Sequence, residues 1–204
     1  VVWVLVWRAR SCYCFEMTQT YAELSKNMKP ASLVIRAVKI TGPGLALDLG
    51  AGSLRNVKFL LEQGFEVTAV DKDPVISECA AEVNNDKLHT EVTNFEDFDY
   101  GERKYDLIVS INSLPFLPKD ALLRLLPKIK NALTDEGVLC ITLFGERDGW
   151  SNKKDVSFFS RSEVEGLFSD MHTIMFVEED LEGDTIQGDP KYWHVFKLIA
   201  KRAE

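Results

Sequence analysis

No apolar run in the sequence approaches the roughly 18 residues that a membrane-crossing helix needs. The most apolar stretch, Val1-Val2-Trp3-Val4-Leu5-Val6-Trp7, stops at Arg8. It has no basic residues ahead of it and no small-residue cleavage site, which argues against a secretory leader. No membrane partner is expected. Cysteine is scarce too: Cys12, Cys14, Cys79 and Cys140. The first two are too close for a C-x-x-C pair. Cys140 sits in Val138-Leu139-Cys140-Ile141 and reads as a buried free thiol. A disulfide framework is thereby excluded, and a reducing, cytoplasmic setting is expected. Basic charge is in deficit, with 24 Lys and Arg against 32 Asp and Glu. The net charge of -8 repels phosphate backbones and weighs against a nucleic-acid partner. Lys128, Lys130, Lys153 and Lys154 read as solvated surface lysines. No His/Cys/Asp/Glu cluster has metal-ligand spacing, so no metal is expected. No P-loop and no G-x-S-x-G elbow occurs. His89 and His172 read as surface or strand-edge residues, and His194 as a satisfied structural histidine.

What is present suits one α/β domain: 204 residues, 46% of them hydrophobic and 27% charged, with no internal repeat and no dividing linker. Met17 follows the unusual opening. Residues 1–16 are expected to be extraneous or disordered; the competing reading is a short extra strand or a partner-binding segment. The domain is expected over 17–204, led by a helical lid at about 18–40 that breaks at Pro30. Strands are predicted at 45–49, 65–70, 88–92, 105–111 and 138–144. Helices are predicted at 54–63, 74–83, 119–133 and 160–168. Pro127 is expected to bend or divide the third of these helices. Ser160 and Glu163 have capping-box spacing. Two β runs, 172–177 and 192–200, close the sequence around an acidic loop. Alternating strands and helices imply a parallel sheet, and two final strands without a helix between them imply an antiparallel edge. The fold class is therefore α/β: a Rossmann-like, doubly wound sheet of about seven strands, mostly parallel, with an antiparallel C-terminal hairpin.

Ligands of such sheets bind beyond the carboxyl ends of the strands. The first strand-to-helix turn is Asp48-Leu49-Gly50-Ala51-Gly52-Ser53-Leu54. Glycines there let backbone approach a ligand, and the helix N-terminus beyond offers free N–H donors. Three features narrow the ligand. Asp48 suits a cationic group and repels pyrophosphate. Arg55 stands where a dinucleotide fingerprint has its third glycine. Asp71 ends the second strand about 20 residues on, where a ribose-binding acid belongs. Plainer roles compete: Gly50 and Gly52 as a tight turn only, Asp71 as a helix cap before Pro74. Asp106 starts a strand at the opposite end of the sheet and reads as structural.

On these residues the chain resembles the class I S-adenosylmethionine-dependent methyltransferases, over roughly 45–201. The resemblance rests on Leu47 to Gly52, Ala69 to Pro74, Tyr105 to Ser110, Glu136 to Leu139 after a long helix, and the closing run Trp193 to Lys201. The brevity of the chain is similar to the small-molecule branch, which includes tellurite-resistance-type enzymes. The resemblance implies S-adenosylmethionine as cofactor. Gly50, Ala51 and Gly52 would lie against its amino-acid portion, with Asp48 helping to fix the ammonium. Asp71 would hold the ribose hydroxyls and Lys72 would flank the adenine. Asn94 stands where the family often has an acid facing the adenine amino group. Phe95 would add backbone N–H and an apolar wall, while Asp97 competes with Asn94 for the role. Ser110 and Ile111 would line the methyl donor's pocket. The Asn-Pro-Pro-Tyr type of motif is absent; Ile111-Asn112-Ser113-Leu114-Pro115-Phe116 takes its place.

The chemistry needs alignment of nucleophile, methyl and leaving sulfur, with water excluded. No catalytic dyad is evident, and a soft or ionised acceptor needs none, so the catalytic residues stay unassigned. Candidate acceptor contacts are Tyr21, Phe116 and Trp150, with Phe144 at the start of the same loop. Their faces also suit the sulfonium charge; core packing is the plainer reading of Phe116 and Phe144. The expected function is methyl transfer to a small-molecule acceptor by a monomer or homodimer. The alternatives are a catalytically silent S-adenosylmethionine-binding sensor or scaffold and, against Asp48 and the missing glycine, a nicotinamide-dependent oxidoreductase.

Overall fold

The computed structural model describes residues 21–203. The readings made for residues 1–16, for Cys12 and Cys14, and for the first residues of the helical lid lie outside them. Two helices come first, α1 (Tyr21–Ser25) and α2 (Ser32–Thr41), separated across Pro30. The remaining elements alternate: β1 (Leu45–Leu49), α3 (Arg55–Glu62), β2 (Glu66–Asp71), α4 (Val75–Val83), β3 (Leu88–Val92), β4 (Tyr105–Ser110), a 3-10 turn at Leu114–Phe116, α5 (Lys119–Asn131), β5 (Leu133–Gly145), β6 (Phe158–Phe159), α6 (Arg161–Leu167), β7 (Met171–Asp184) and β8 (Pro190–Arg202).

The sheet order is β3-β2-β1-β4-β5-β8-β7, with the two-residue β6 paired to β5. Strands β1 to β5 run parallel, and β8 is antiparallel to both β5 and β7. This is the expected doubly wound sheet, with β6 as an added short strand. From β1 the chain steps outward to β2 and β3, then returns to place β4 on the other side of β1. That reversal opens a crevice beyond the carboxyl ends of β1 and β4.

Period-2 alternation sends successive residues to opposite faces. Ala46, Val67, Ala69, Val109 and Cys140 pack against α2, α3 and α4. Leu47, Leu49, Ile108, Leu139 and Ile141 pack against α5 and α6. Asp48 shares the face of Ala46, which sends its carboxylate into the first of these layers rather than to solvent.

Two expectations are corrected. Helix α5 runs through Pro127 undivided. The proline lies on the exposed side, as does Leu123, whose carbonyl loses its N–H partner and is left to water. The acidic stretch Glu178–Asp184 is part of β7, not a loop. Three of its acids are ion-paired: Arg147 and Arg161 meet Glu178, Arg147 also meets Asp180, and Lys197 on β8 meets Glu179. The loop that remains between β7 and β8 is short, and the Gly188 and Thr185 backbones close it. The Ser160–Glu163 capping box opens α6, with both reciprocal bonds formed. Among the described residues, no helix is long and apolar enough to cross a membrane.

Candidate functional site

The turn after β1 is held by the neighbouring strand: Gly50 and Ala51 both donate N–H to the Val70 carbonyl, at 2.8 and 3.2 Å. Gly50 has φ +80°, and a Cβ there would meet Ser113 at 2.2 Å. Only glycine fits, because the left-handed backbone and the packed neighbour both exclude a side chain. Gly52 has φ +49°, and its N–H donates to Asp71 Oδ2 at 2.8 Å. The other oxygen, Oδ1, accepts the N–H of Asp73 at 2.9 Å. Asp71 thus joins the end of β2 to the glycine turn, and the residue that caps α4 is Asp73, through Val75 N–H.

A single cleft of about 1360 Å³ lies over this end of the sheet. Of the residues expected at the site, it brings together Tyr21, Gly50, Gly52, Asp71, Lys72, Asn94, Phe95, Ile111, Phe116 and Trp150. Asp48, Ala51 and Ser110 are not on its surface; all three are buried beneath it. Ser110 Oγ bonds the Leu49 carbonyl and Ser113 Oγ, which fastens the end of β4 to the end of β1. Asn94 Nδ2 donates to Asp97 Oδ2 at 3.1 Å, so the two competing residues form one unit in the cleft wall.

Asp48 Oδ2 is buried without a hydrogen-bond partner among the described residues. Burial pushes the carboxyl up to about 7; the Arg55 charge opposes this shift and Asp71 adds to it. Asp48 therefore sits within the electrostatic reach of the cleft residues Asp71 and Arg55. A buried carboxylate with a free oxygen is costly unless something cationic compensates it.

Tyr21 reaches the cleft because α1 is fastened to the turn. Ser25 Oγ donates to Ser53 Oγ at 2.7 Å, and Asn56 Oδ1 accepts the N–H of Ala31 at 3.0 Å. Phe116, Phe144, Trp150 and Trp193 also meet on the cleft. Phe144 is fully buried, whereas Phe116 is 45% exposed on the cleft, more than a core ring would be.

Sequence reasoning missed Arg55, Asn112, Ser113, Lys153, Trp193 and the β7–β8 turn from Asp184 to Pro190, all on the cleft. Asn112 carried one usable signal: it is an asparagine two residues beyond β4, and asparagine tolerates the φ of +54° that it adopts. Its N–H donates to Thr142 Oγ1 at 2.7 Å. The turn carried none, since its position depends on how far β7 and β8 extend.

The histidines stand outside the cleft. His194 is buried; Nδ1 accepts the N–H of Arg147 at 3.1 Å, so Nε2 carries the proton and donates to Glu178 at 2.9 Å. Glu178, Asp180 and His194 bring ligand atoms within 4.8 Å of one another, but the Arg147 guanidinium already bonds both acids. Asp106 fastens the far end of the sheet through Leu45 N–H at 2.8 Å.

Comparison with known proteins follows this geometry. A family model described as tellurite resistance protein TehB matches residues 14–188. No curated protein matches the sequence. Among solved structures, TehB from Haemophilus influenzae superposes with a TM-score of 0.72 at 21% identity over 83% of this chain. The present chain spans only 61% of that one. The 1,6-didemethyltoxoflavin-N1-methyltransferase of Burkholderia thailandensis, with bound 1,6-didemethyltoxoflavin and S-adenosylhomocysteine, gives 0.62 at 21% identity, covering 85% of this chain and 79% of that one. The N-methyltransferase NodS of Bradyrhizobium japonicum, in complex with S-adenosylhomocysteine, gives 0.69 at 13% identity, covering 91% and 94%. These likenesses establish the class I methyltransferase fold.

Proposed function

The chain belongs to the TehB family of tellurite resistance proteins, and from that membership we propose that it transfers a methyl group from S-adenosylmethionine to a small-molecule acceptor by in-line displacement. The observation that carries this reading is the joined unit of Gly50, Gly52 and Asp71 on one wall of the cleft. Two structural neighbours hold S-adenosylhomocysteine, which supports the same ligand here.

The residues present fit that cofactor. A sulfonium ligand supplies an electrophilic methyl group when bound. The left-handed glycines leave the turn without side chains, which lets backbone lie against its amino-acid portion. Asp48 and its unpartnered oxygen suit a cationic neighbour. Asp71 would offer its carboxylate to the ribose hydroxyls, and Lys72, on the same cleft, would flank the adenine. With Nδ2 committed to Asp97, Asn94 presents its amide oxygen to the adenine amino group. Phe95 and Ile111 close the apolar side, and Ser110 holds β4 in place from below. Tyr21, Phe116 and Trp150 form the acceptor wall and exclude water. The net charge of -8 supports a small molecule over nucleic acid, and the free thiols of Cys79 and Cys140 support a cytoplasmic setting.

Calorimetry tests the reading. S-adenosylhomocysteine binds and NAD does not; tight NAD binding without S-adenosylhomocysteine would overturn it. Turnover of S-adenosylmethionine against a panel of thiols, amines, hydroxyls and oxyanions then separates an enzyme from a silent binding module.

A further inference from the structure

The acceptor end of the cleft is built from four rings whose centroids lie 5.7 to 6.3 Å apart: Phe116, Phe144, Trp150 and Trp193. Two ammonium groups already occupy these rings. Lys191 Nζ lies 3.3 Å from the Trp193 centroid, 4.1 Å from Trp150 and 4.9 Å from Phe144. Lys153 Nζ lies 4.0 Å from the Trp150 centroid and is itself on the cleft lining. A carboxylate compensates the first of them alone. Asp148 Oδ2 accepts from Lys191 Nζ at 2.7 Å, with side chains only 0% and 2% exposed respectively.

This arrangement is rigid. Asp148 also accepts the N–H of Trp150 at 3.0 Å and of His194 at 3.2 Å, and Gly149 N–H bonds the Tyr192 carbonyl at 2.8 Å. The loop carrying Trp150 is thereby pinned to β8. Burial lowers the Lys191 pKa while its bond to Asp148 works in the opposite sense, and Lys153 is close enough to add to the lowering.

Cation–π attraction depends on the negative face of a ring. A ring already holding an ammonium offers less to a second cation, and the resident charge repels it. A planar ring, by contrast, stacks on these faces through dispersion and offset quadrupoles. Negative charge on such a ring gains from Lys153, which has no ion-pair partner among the described residues. Asp184 and Asp189 also line the cleft, but on the β7–β8 turn, and neither is ion-paired to Lys153 or Lys191. Space is ample: about 1360 Å³ exceeds the ~300–1,000 Å³ usual for a single ligand. An adenosyl group and an organic acceptor fit together.

We propose that this end of the cleft is a stacking site for a planar aromatic or heteroaromatic acceptor carrying negative charge, with Lys153 setting the charge preference. The inference rests on the methyl-transfer reading of the cleft. An aryl thiolate or aryl oxyanion supplies its own electron pair. The new bond forms from that sulfur or oxygen to the methyl carbon, the carbon–sulfonium bond breaks, and its pair returns to sulfur. One negative and one positive charge cancel, and no proton has to move.

The test uses three naphthyl probes titrated into the whole protein saturated with S-adenosylhomocysteine: 2-naphthoate, 2-naphthamide and 2-naphthyltrimethylammonium. The naphthoate binds at least tenfold tighter than the ammonium. Lys153→Met, a surface change with no burial to disturb, weakens naphthoate at least threefold and leaves naphthamide unchanged. Trp150→Ala weakens all probes at least fivefold while S-adenosylhomocysteine affinity is retained. The proposal is overturned if the ammonium binds as tightly as the naphthoate, or if Lys153→Met leaves the naphthoate-to-naphthamide ratio where it was. Should S-adenosylhomocysteine itself fail to bind, the methyl-transfer reading falls. The same series on the ligand-free protein still decides the charge preference.

Discussion

Gly52 donates its backbone N–H to the carboxylate of Asp71 at 2.8 Å, so the turn after β1 and the acid that ends β2 behave as one piece. A ribose-binding role and a turn-holding role thus meet in one side chain. They separate under mutation, because only the first requires the cofactor.

Asp71→Ala is expected to weaken S-adenosylhomocysteine binding at least tenfold, about 1.4 kcal/mol or more. Gly52 N–H then turns to water, since Asp71 is only half-buried. The midpoint of thermal unfolding therefore moves by no more than a few degrees. Calorimetry and a melting curve read the two effects apart, and unchanged affinity would remove Asp71 from the site.

Gly50→Ala is expected to destabilise the fold, by about 1–3 kcal/mol from its backbone conformation alone. The collision with Ser113 adds to this. Combining it with Ser113→Gly removes the collision and returns part of the loss. Urea denaturation of the single and double variants checks this, and a single variant as stable as the parent would show that the turn relaxes.

Asp48 gives a pH prediction. Its carboxyl titrates at about 7 in the fold, against 3.8 without the fold's influence. Between those values the folded state holds a proton that the unfolded chain has lost, so this group's contribution to stability falls as pH rises from about 4 to about 7. Asp48→Asn removes the titration. The variant is expected to gain stability relative to the parent across that window, with the difference level above it. A difference independent of pH would show that Asp48 is ionised throughout. Binding of a cationic ligand favours the ionised form, so S-adenosylmethionine binding at pH 6 releases protons. Calorimetry in buffers of different ionisation enthalpy measures that release.

Asp148→Ala leaves the Lys191 ammonium buried and unpaired. The expected cost is about 3–5 kcal/mol, the range for breaking one side of a buried pair. The double change Lys191→Met with Asp148→Asn removes both charges and keeps one amide oxygen for the Trp150 N–H, while the His194 N–H loses its acceptor, so part of the loss returns. Chemical denaturation of the parent, Asp148→Asn, Lys191→Met and the double variant closes the cycle. Additive losses would mean that the two residues act independently.

Much of the fold was legible because its signals are local. The apolar run Leu45 to Leu49, the Asp-x-Gly-x-Gly turn and the acid after Val70 carry their meaning in a few adjacent residues. Ser160 and Glu163 announced their cap at the right spacing. The errors came where distant partners intervened. The acidic stretch Glu178–Asp184 reads as a loop in isolation, yet Arg147, Arg161 and Lys197 make it a strand. Pro127 reads as a helix breaker, yet the solvent side of α5 absorbs the missing bond.

The amino-acid sequence by itself determined the alternation of strands and helices and the glycine turn with its two acids. Backbone conformation and side-chain period are properties of neighbouring residues, and they need no partner to be read. Only the tertiary structure decided that Asp48 lies below the cleft rather than on it, and that Phe116, Phe144, Trp150 and Trp193 close around Lys191 and Asp148. Those residues come from three separate segments of the chain, around 116, 144–150 and 191–193. Their meeting depends on how the antiparallel β8 lies against β5, and no local pattern encodes that placement.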